Sequence, residues 1–255
     1  MSERIQIGHL PIDAVDLSGA LATIESLIAT RSGGTVFTPN VDHIVMSESD
    51  ERFRRAYQAV SLSLVDGTPV VWAARLLGRP LPEKVSGSDL VLPLMERAAA
   101  RHWRVFLLGG APDSAKTAAT RLTERFSELT IVGIDAPRID LGSPIDERRE
   151  VAARVAATKP DLVLVAFGAP KQEVFCAETI DLLAPAVLVC IGAGLDFVAG
   201  VARRAPAWMS RAGLEWLYRL AHEPRRLAGR YLIRDPKFLL ILVRQLMGKQ
   251  PQAPD

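Results

Sequence analysis

Metal-ligand spacing, paired cysteines and membrane-length apolar runs are all missing from this chain, and each absence removes a class of protein. The two cysteines, Cys176 and Cys190, sit in apolar or helical surroundings without metal-ligand spacing, which suits a reduced cytosolic interior rather than a disulfide framework. The four histidines, His9, His43, His102 and His222, are isolated from one another, so none is assigned to catalysis. No Asp-x-Asp pair and no group of histidines with carboxylates suggests a divalent cation, and no metal or other cofactor is expected. The phosphate fingerprints G-x-G-x-x-G and G-x-x-x-x-G-K-[ST] are also absent. Met1 to Leu10 has no apolar core, so a signal peptide is not expected. The longest uncharged run, Leu182 to Leu195, contains a proline and two glycines. A bilayer span needs roughly 20 apolar residues, so none is expected here.

What is present describes a globular protein. The chain has 255 residues, 49% of them hydrophobic, enough for one large domain, or one domain with an appendage. The net charge of +2 hides an asymmetry: residues 1–200 carry 20 basic against 25 acidic side chains, and residues 201–255 carry 11 against 4. A weakly acidic α/β body over 1–200 and a basic appendage over 201–255 are therefore expected, the appendage facing an anionic partner: phospholipid, a phosphorylated substrate or nucleic acid.

Along the body, apolar runs alternate with helical patterns. Ile5 to Val15 offers at best a short edge strand, and Leu17 to Ala29 a helix. Thr35–Thr38 reads as a strand, Val41 to Val60 as a helix, and Leu62–Val65 as a strand that stops at Asp66-Gly67. Val105–Leu108, Leu129–Ile134, Leu162–Phe167 and Val187–Ile191 are further strands, with helices at Ser114–Phe126, Asp146–Ala157 and from Gln172 to Leu183. Runs that do not alternate, separated by helices, predict a doubly wound, mostly parallel, Rossmann-like sheet covered on both faces.

Ligands of such sheets bind beyond the carboxyl ends of the strands. Small and polar residues gather at five of those ends: Thr38–Asn40, Asp66-Gly67, Gly109-Gly110, Gly168–Gln172 and Gly192–Asp196. Together they predict a wide polar crevice where backbone N–H groups can meet phosphate. Gly109-Gly110 suits either a tight turn or a phosphate contact. Lys171, unfavourable at a helix N-terminus, favours binding. Asp66 either caps the helix after Pro69 or does chemistry; with no histidine base in view it is the best proton acceptor. In the appendage, Arg219, Arg226, Arg230 and Arg234 recur at helical spacing and predict one basic stripe beside Trp216 and Tyr218. Phe238–Met247 reads as a final apolar helix. A packed helix with a solvated basic face and a helix lying on an anionic membrane both fit this pattern.

Thr38-Pro39-Asn40, Val65-Asp66-Gly67, Leu108-Gly109-Gly110, Gly168-Ala-Pro-Lys-Gln-Glu173, Phe197-Val-Ala-Gly200, Arg204-Ala-Pro-Ala-Trp208-Met209 and Gly213–Arg219, in that order, resemble the WecG/TagA/CpsF glycosyltransferases. The resemblance runs from near Ile5 to about Met247. It implies a GT-E-like fold and metal-independent, inverting transfer of a sugar, N-acetylmannosamine or a related hexose, from a UDP-sugar to a polyprenyl-diphosphate-linked saccharide. Such chemistry serves teichoic acid, common antigen and exopolysaccharide synthesis at the cytoplasmic membrane face. By the same resemblance Asp66 is the catalytic base, and Thr38, Asn40 and Gln172 position substrate. Lys84 stands where the family has an arginine, keeping the charge but not the bidentate fork. The appendage matches an element that closes over the site and meets the anionic membrane. Lys84, Lys171, Gly109, Gly110, Asp196, Arg211, Arg219 and Arg226 are the expected substrate-binding residues, and nucleic acid is not an expected partner. A nucleotide-dependent oxidoreductase and a non-enzymatic adaptor for lipid or nucleic acid are the alternatives.

Overall fold

In a computed structural model of the chain the described residues are 3–202, 205–206, 208–209, 213–222 and 224–248, the side chains of Pro112, Arg219 and Arg226 excepted. Six parallel strands form the centre: β3 (Gly34–Phe37), β4 (Leu62–Ser63), β5 (Arg104–Gly109), β6 (Thr130–Asp135), β7 (Leu162–Ala166) and β8 (Val187–Cys190), in the order β4-β3-β8-β7-β5-β6. The apolar runs become core on both sides because successive side chains point to opposite faces. Val105 and Leu107, Leu162 and Leu164, and Val187 and Val189 enter one hydrophobic cluster, while Phe106 and Leu108, Val163 and Val165, and Leu188 and Cys190 enter the other. Burying each such Leu, Val or Phe stabilises the fold by about 1.5–3 kcal/mol.

The first cluster is completed by α1 (Leu17–Ala29), α5 (Gly87–Ala100), α6 (Pro112–Arg125) and α9 (Gly194–Val198). The second receives α2 (Val41–Ser47), α3 (Glu51–Gln58), α4 (Thr68–Leu76), α7 (Ile145–Ala157) and α8 (Lys171–Leu183). This is the expected α/β sheet with helices on both faces.

Three local expectations need correction. Ile5–Val15 is not one edge strand: β1 (Arg4–Ile7) and β2 (Leu10–Asp13) make a separate antiparallel hairpin. Arg4 grips Asp13 through two hydrogen bonds of 2.8 and 2.9 Å, and the Ser63 N–H donates to Asp13 Oδ2 at 2.8 Å, tying the hairpin to β4. The helix read over Val41–Val60 is two helices, because Asp50 turns extended and caps α3, accepting from the Phe53 N–H. The arginine stripe is interrupted as well. The tail runs through α10 (Glu215–His222), α11 (Pro224–Ala228), a π-helical segment at Gly229–Arg234 and α12 (Lys237–Leu246). Phe238, Ile241 and Leu242 of α12 are buried in the second cluster, while Leu239, Leu240, Val243 and Leu246 are exposed.

Candidate active site

Because all six strands are parallel, their carboxyl ends share one rim. The polar strand ends lie there, around a cleft of about 1250 Å³ lined by Thr38, Asn40, Asp66, Lys84, Gly110, Lys171, Gln172 and Asp196 among others. Pockets for single small ligands run to roughly 1,000 Å³, so this cleft is larger than one small ligand needs.

Backbone pairing sets the position of Asp66. The ladder between β3 and β4 continues past the regular strands, with Leu64 N–H donating to Phe37 O and Asp66 N–H to Pro39 O, each at 2.8 Å. Asp66 therefore lies alongside Thr38–Asn40. The N-cap of α4 is Gly67, at φ 108°, so Asp66 is not the N-cap residue of that helix. Beyond it, Val85 N–H donates to Val65 O at 2.8 Å, bringing Lys84 to the same wall. Lys84 lies 3.6 Å from Asp89 and 3.5 Å from Glu215. Burial works against its charge, but Asp66, Asp89 and Glu215 together outweigh that and raise its pKa. A firmly protonated amine thus stands beside the Asp66 carboxylate.

Next to Lys84, Ser86 and Asp89 form a reciprocal capping box at the start of α5. Gly87 makes this approach possible: a Cβ there would lie 2.7 Å from Ile191 Cα. The opening turn of α5, with Ser86 and Ser88 on the cleft wall, adds N–H groups suited to an anion.

Thr38 is buried, its hydroxyl donating to Cys190 O at 3.5 Å. Asn40 caps α2, its Oδ1 accepting from His43 N–H at 3.3 Å and from Arg230 Nη2 at 3.0 Å. With both lone pairs engaged, Asn40 offers the cleft its amide hydrogens. Gln172 is only 2% exposed; its Oε1 accepts from Gly192 N–H at 3.2 Å and its Nε2 donates to Glu173 Oε1 at 2.8 Å. Lys171 opens α8 at the rim, and Asp196 lines the cleft with an Oδ1 that lacks a hydrogen-bond partner among the described residues. Gly110 lines the cleft at φ 82°, whereas Gly109 does not: it ends β5, where a Cβ would meet the Ala166 backbone at 2.8 Å. The pair thus divides the two roles left open, close packing for Gly109 and cleft surface for Gly110. Arg211 lies outside the described residues, as do the side chains of Arg219 and Arg226.

The tail closes one side of the cleft through Glu215, Trp216, Tyr218, Arg230, Tyr231 and Asp235. Arg230 and Arg234 each place Nε 3.3 Å from an Asp42 carboxylate oxygen. Burial raises Asp235 to about 6 against the pull of Arg230; Asp42 adds to the rise and Arg234 opposes it. Behind the cleft, burial, helped by the Arg230 charge, lowers His43 to about 3, so the ring is neutral. Burial likewise pushes Glu173 up to about 7, despite its Gln172 hydrogen bond.

Sequence reasoning passed over Asp42, Glu173 and the Pro137–Ile139 wall. For Arg230 the signal was present in the arginine spacing; for Asp42 it was the pair of polar residues two apart at the start of α2. Pro137, Arg138 and Ile139 follow β6, a strand end without the glycine that marked its neighbours. Among the described residues no three His, Cys, Asp or Glu side chains are grouped to hold a metal ion.

A carboxylate, a paired cation, side-chain amides and a helix N-terminus around one cleft are the groups that taking up a proton and holding an anionic leaving group require. A protein of Bacillus spizizenii strain W23 named N-acetylglucosaminyldiphosphoundecaprenol N-acetyl-beta-D-mannosaminyltransferase is 30% identical over 236 residues, covering 91% of this chain and 89% of its own. A protein of Bacillus subtilis strain 168 with the same name is 28% identical over 249 residues, covering 97% and 94%. The profile of the glycosyl transferase WecG/TagA/CpsF family matches residues 5–252, and the chain belongs to that family.

Proposed function

We propose that this glycosyltransferase moves N-acetylmannosamine, or a closely related hexose, from a UDP-sugar to a polyprenyl-diphosphate-linked N-acetylglucosamine, with inversion and without a metal ion. The observation that carries this reading is Asp66 held by backbone pairing beside Thr38–Asn40, with the Lys84 ammonium next to it. The relatives' names supply the substrate pair. Asp66 takes the proton of the acceptor hydroxyl as that oxygen bonds to the anomeric carbon. The bond to UDP breaks with its electron pair on the phosphate oxygen. One displacement inverts the anomeric centre. Lys84 and the tail arginines Arg211, Arg219 and Arg226 are proposed to hold the departing diphosphate; Lys84 does so as a point charge, without an arginine's fork. Asp66→Asn should lower kcat by about 10²–10⁴-fold in an assay with UDP-N-acetylmannosamine and the lipid-linked acceptor. Near-normal turnover would remove Asp66 from the role of base. An oxidoreductase or a non-enzymatic adaptor gives way to the family match.

The division into a catalytic body, 1–200, and an appendage, 201–255, is proposed with it, the appendage resting on the cytoplasmic face of an anionic membrane. Among the described residues no helix is long and apolar enough to cross a bilayer. Instead Leu232, Ile233, Leu239, Leu240 and Val243 are exposed together with Arg234, Lys237 and Arg244, a pattern suited to shallow burial at an anionic interface. Ile233→Glu with Leu240→Glu should abolish flotation with phosphatidylglycerol vesicles. Flotation equal to wild type would refute this contact.

A further inference from the structure

Glu173 is fully buried and is not among the residues lining the cleft. It is also expensive to keep there. Its Oε2 has no hydrogen-bond partner among the described residues, and an unsatisfied buried polar atom is destabilising because it has given up its water. A residue chosen only for packing would avoid that cost. What the carboxyl does is receive Gln172 Nε2–H at 2.8 Å, from the neighbour whose other amide atom accepts from Gly192 N–H at 3.2 Å.

An amide can be turned end for end with little change in shape, and only its partners tell oxygen from nitrogen. Gly192 offers a donor and Glu173 an acceptor, so together they allow one orientation. In that orientation one Nε2 hydrogen is used by Glu173 and the second is left over on a residue of the cleft wall. Behind the carboxyl, Oε1 is 4.0 Å from Nδ1 of the neutral His43 ring, too far for a hydrogen bond, and that nitrogen is 3.0 Å from the Tyr57 hydroxyl.

We propose that Glu173 is a positioning residue, whose buried carboxyl holds the Gln172 amide so that its remaining Nε2–H points to the sugar-nucleotide or acceptor in the cleft. This rests on the reading that Gln172 contacts substrate in the proposed transfer. Burial keeps the Glu173 carboxyl near half-protonated at neutral pH, so a neutral acceptor of the same shape should serve in its place. Glu173→Gln retains such an oxygen; Glu173→Met keeps the volume and removes it.

The test uses the full chain, UDP-N-acetylmannosamine and the lipid-linked acceptor, with E173M, E173Q, Q172M and the E173M/Q172M double variant. Q172M and E173M should each lower kcat/KM about tenfold or more, the loss expected when one hydrogen bond worth about 1.4 kcal/mol disappears. E173Q should stay within about threefold of wild type, and the double variant should be no worse than Q172M alone. Losses that multiply in the double variant, or full activity in E173M, would overturn the proposal. Should E173M not fold, Glu173→Asp withdraws the carboxyl by one carbon and should lose activity in the same way; full activity in E173D would count against the proposal. A readout free of turnover is the side-chain ¹⁵N amide signal of Gln172, assigned by its loss in Q172M. It should shift in E173M and hold its place in E173Q. An unmoved signal in E173M overturns the positioning role. Absent turnover in wild type, with the signal shifting as expected, removes only the substrate reading.

Discussion

The two walls of the cleft are built on different physics. On the strand-end wall, Asp66 and Gly110 are placed by backbone hydrogen bonds to Pro39 O and Ala166 O, and Thr38 and Gln172 by the near-complete burial of their side chains. On the tail wall, Arg230 and Arg234 reach Asp42, Glu215 reaches Lys84, and Gln245 clasps Gln6 O and Gly8 N–H. One apolar stripe, Phe238, Ile241 and Leu242, anchors that side. A wall made of backbone pairing can move only if the sheet is broken. A wall held mainly by part-exposed ion pairs can lift while the sheet stays intact, and salt weakens it.

The largest effect should come from charging the rigid wall. Glu173 holds its proton to about pH 7 in the folded protein against an ordinary 4.5. Its contribution is therefore fully present below pH 4.5 and is lost as pH rises through 7. At 1.36 kcal/mol per unit, the loss reaches about 3 kcal/mol at most. E173Q titrates in neither state, so its stability relative to wild type should climb between pH 4.5 and 7 and then level off. Urea unfolding at pH 5 and pH 8 reads this directly, and a constant difference would mean that the carboxyl ionises freely when folded. His43 is common to both proteins and cancels.

Gly87→Ala comes next. The new Cβ would sit 2.7 Å from Ile191 Cα and 2.9 Å from Cys190 O. These are backbone atoms that cannot swing aside, so α5 must back away from β8. About 2–3 kcal/mol of stability should be lost, together with nucleotide affinity, as measured by urea unfolding and UDP calorimetry. Unchanged values would show that the rim is softer than its pairing implies.

On the tail side, Asp42→Asn removes the partner shared by Arg230 and Arg234. Expected are a loss of about 1–2 kcal/mol in the docking of the tail on the body, because Arg230 stays part-buried with less compensation, and faster trypsin cleavage after Arg234, while the urea midpoint of the sheet moves little. Equal cleavage rates would place the tail among the rigid parts. The smallest effect should come from Lys84→Arg, at the residue that touches both walls through Asp89 and Glu215. Restoring the fork should lower KM for the UDP-sugar by at most about threefold, under 1 kcal/mol. A rise in KM instead would show that the space beside Asp66 is fitted to lysine.

Much of the strand-end wall was legible in the sequence because its causes are local. Non-alternating apolar runs announced buried parallel strands, and the glycines and polar residues after them marked five of the ends that meet at the rim. Asp66 could be singled out for the same reason, since a strand stopping at Asp-Gly before a proline fixes where its carboxylate stands. Errors began where a local pattern had two continuations. Val41–Val60 has helical spacing throughout, and only the Asp50 cap divides it. The β1–β2 hairpin depends on Asp13 meeting Ser63, 50 residues away.

The sequence by itself determined the sheet, its rim and most of the strand-end residues that face it, because hydrophobic periodicity and turn chemistry act over a few residues. Only the tertiary structure decided which way the Gln172 amide points, that Glu173 stands behind it without touching the cleft, and that Arg230 reaches Asn40 across 190 residues. Those are matters of a few ångströms between distant segments. They are set by how two layers of helices close on one sheet, and no local pattern carries that distance.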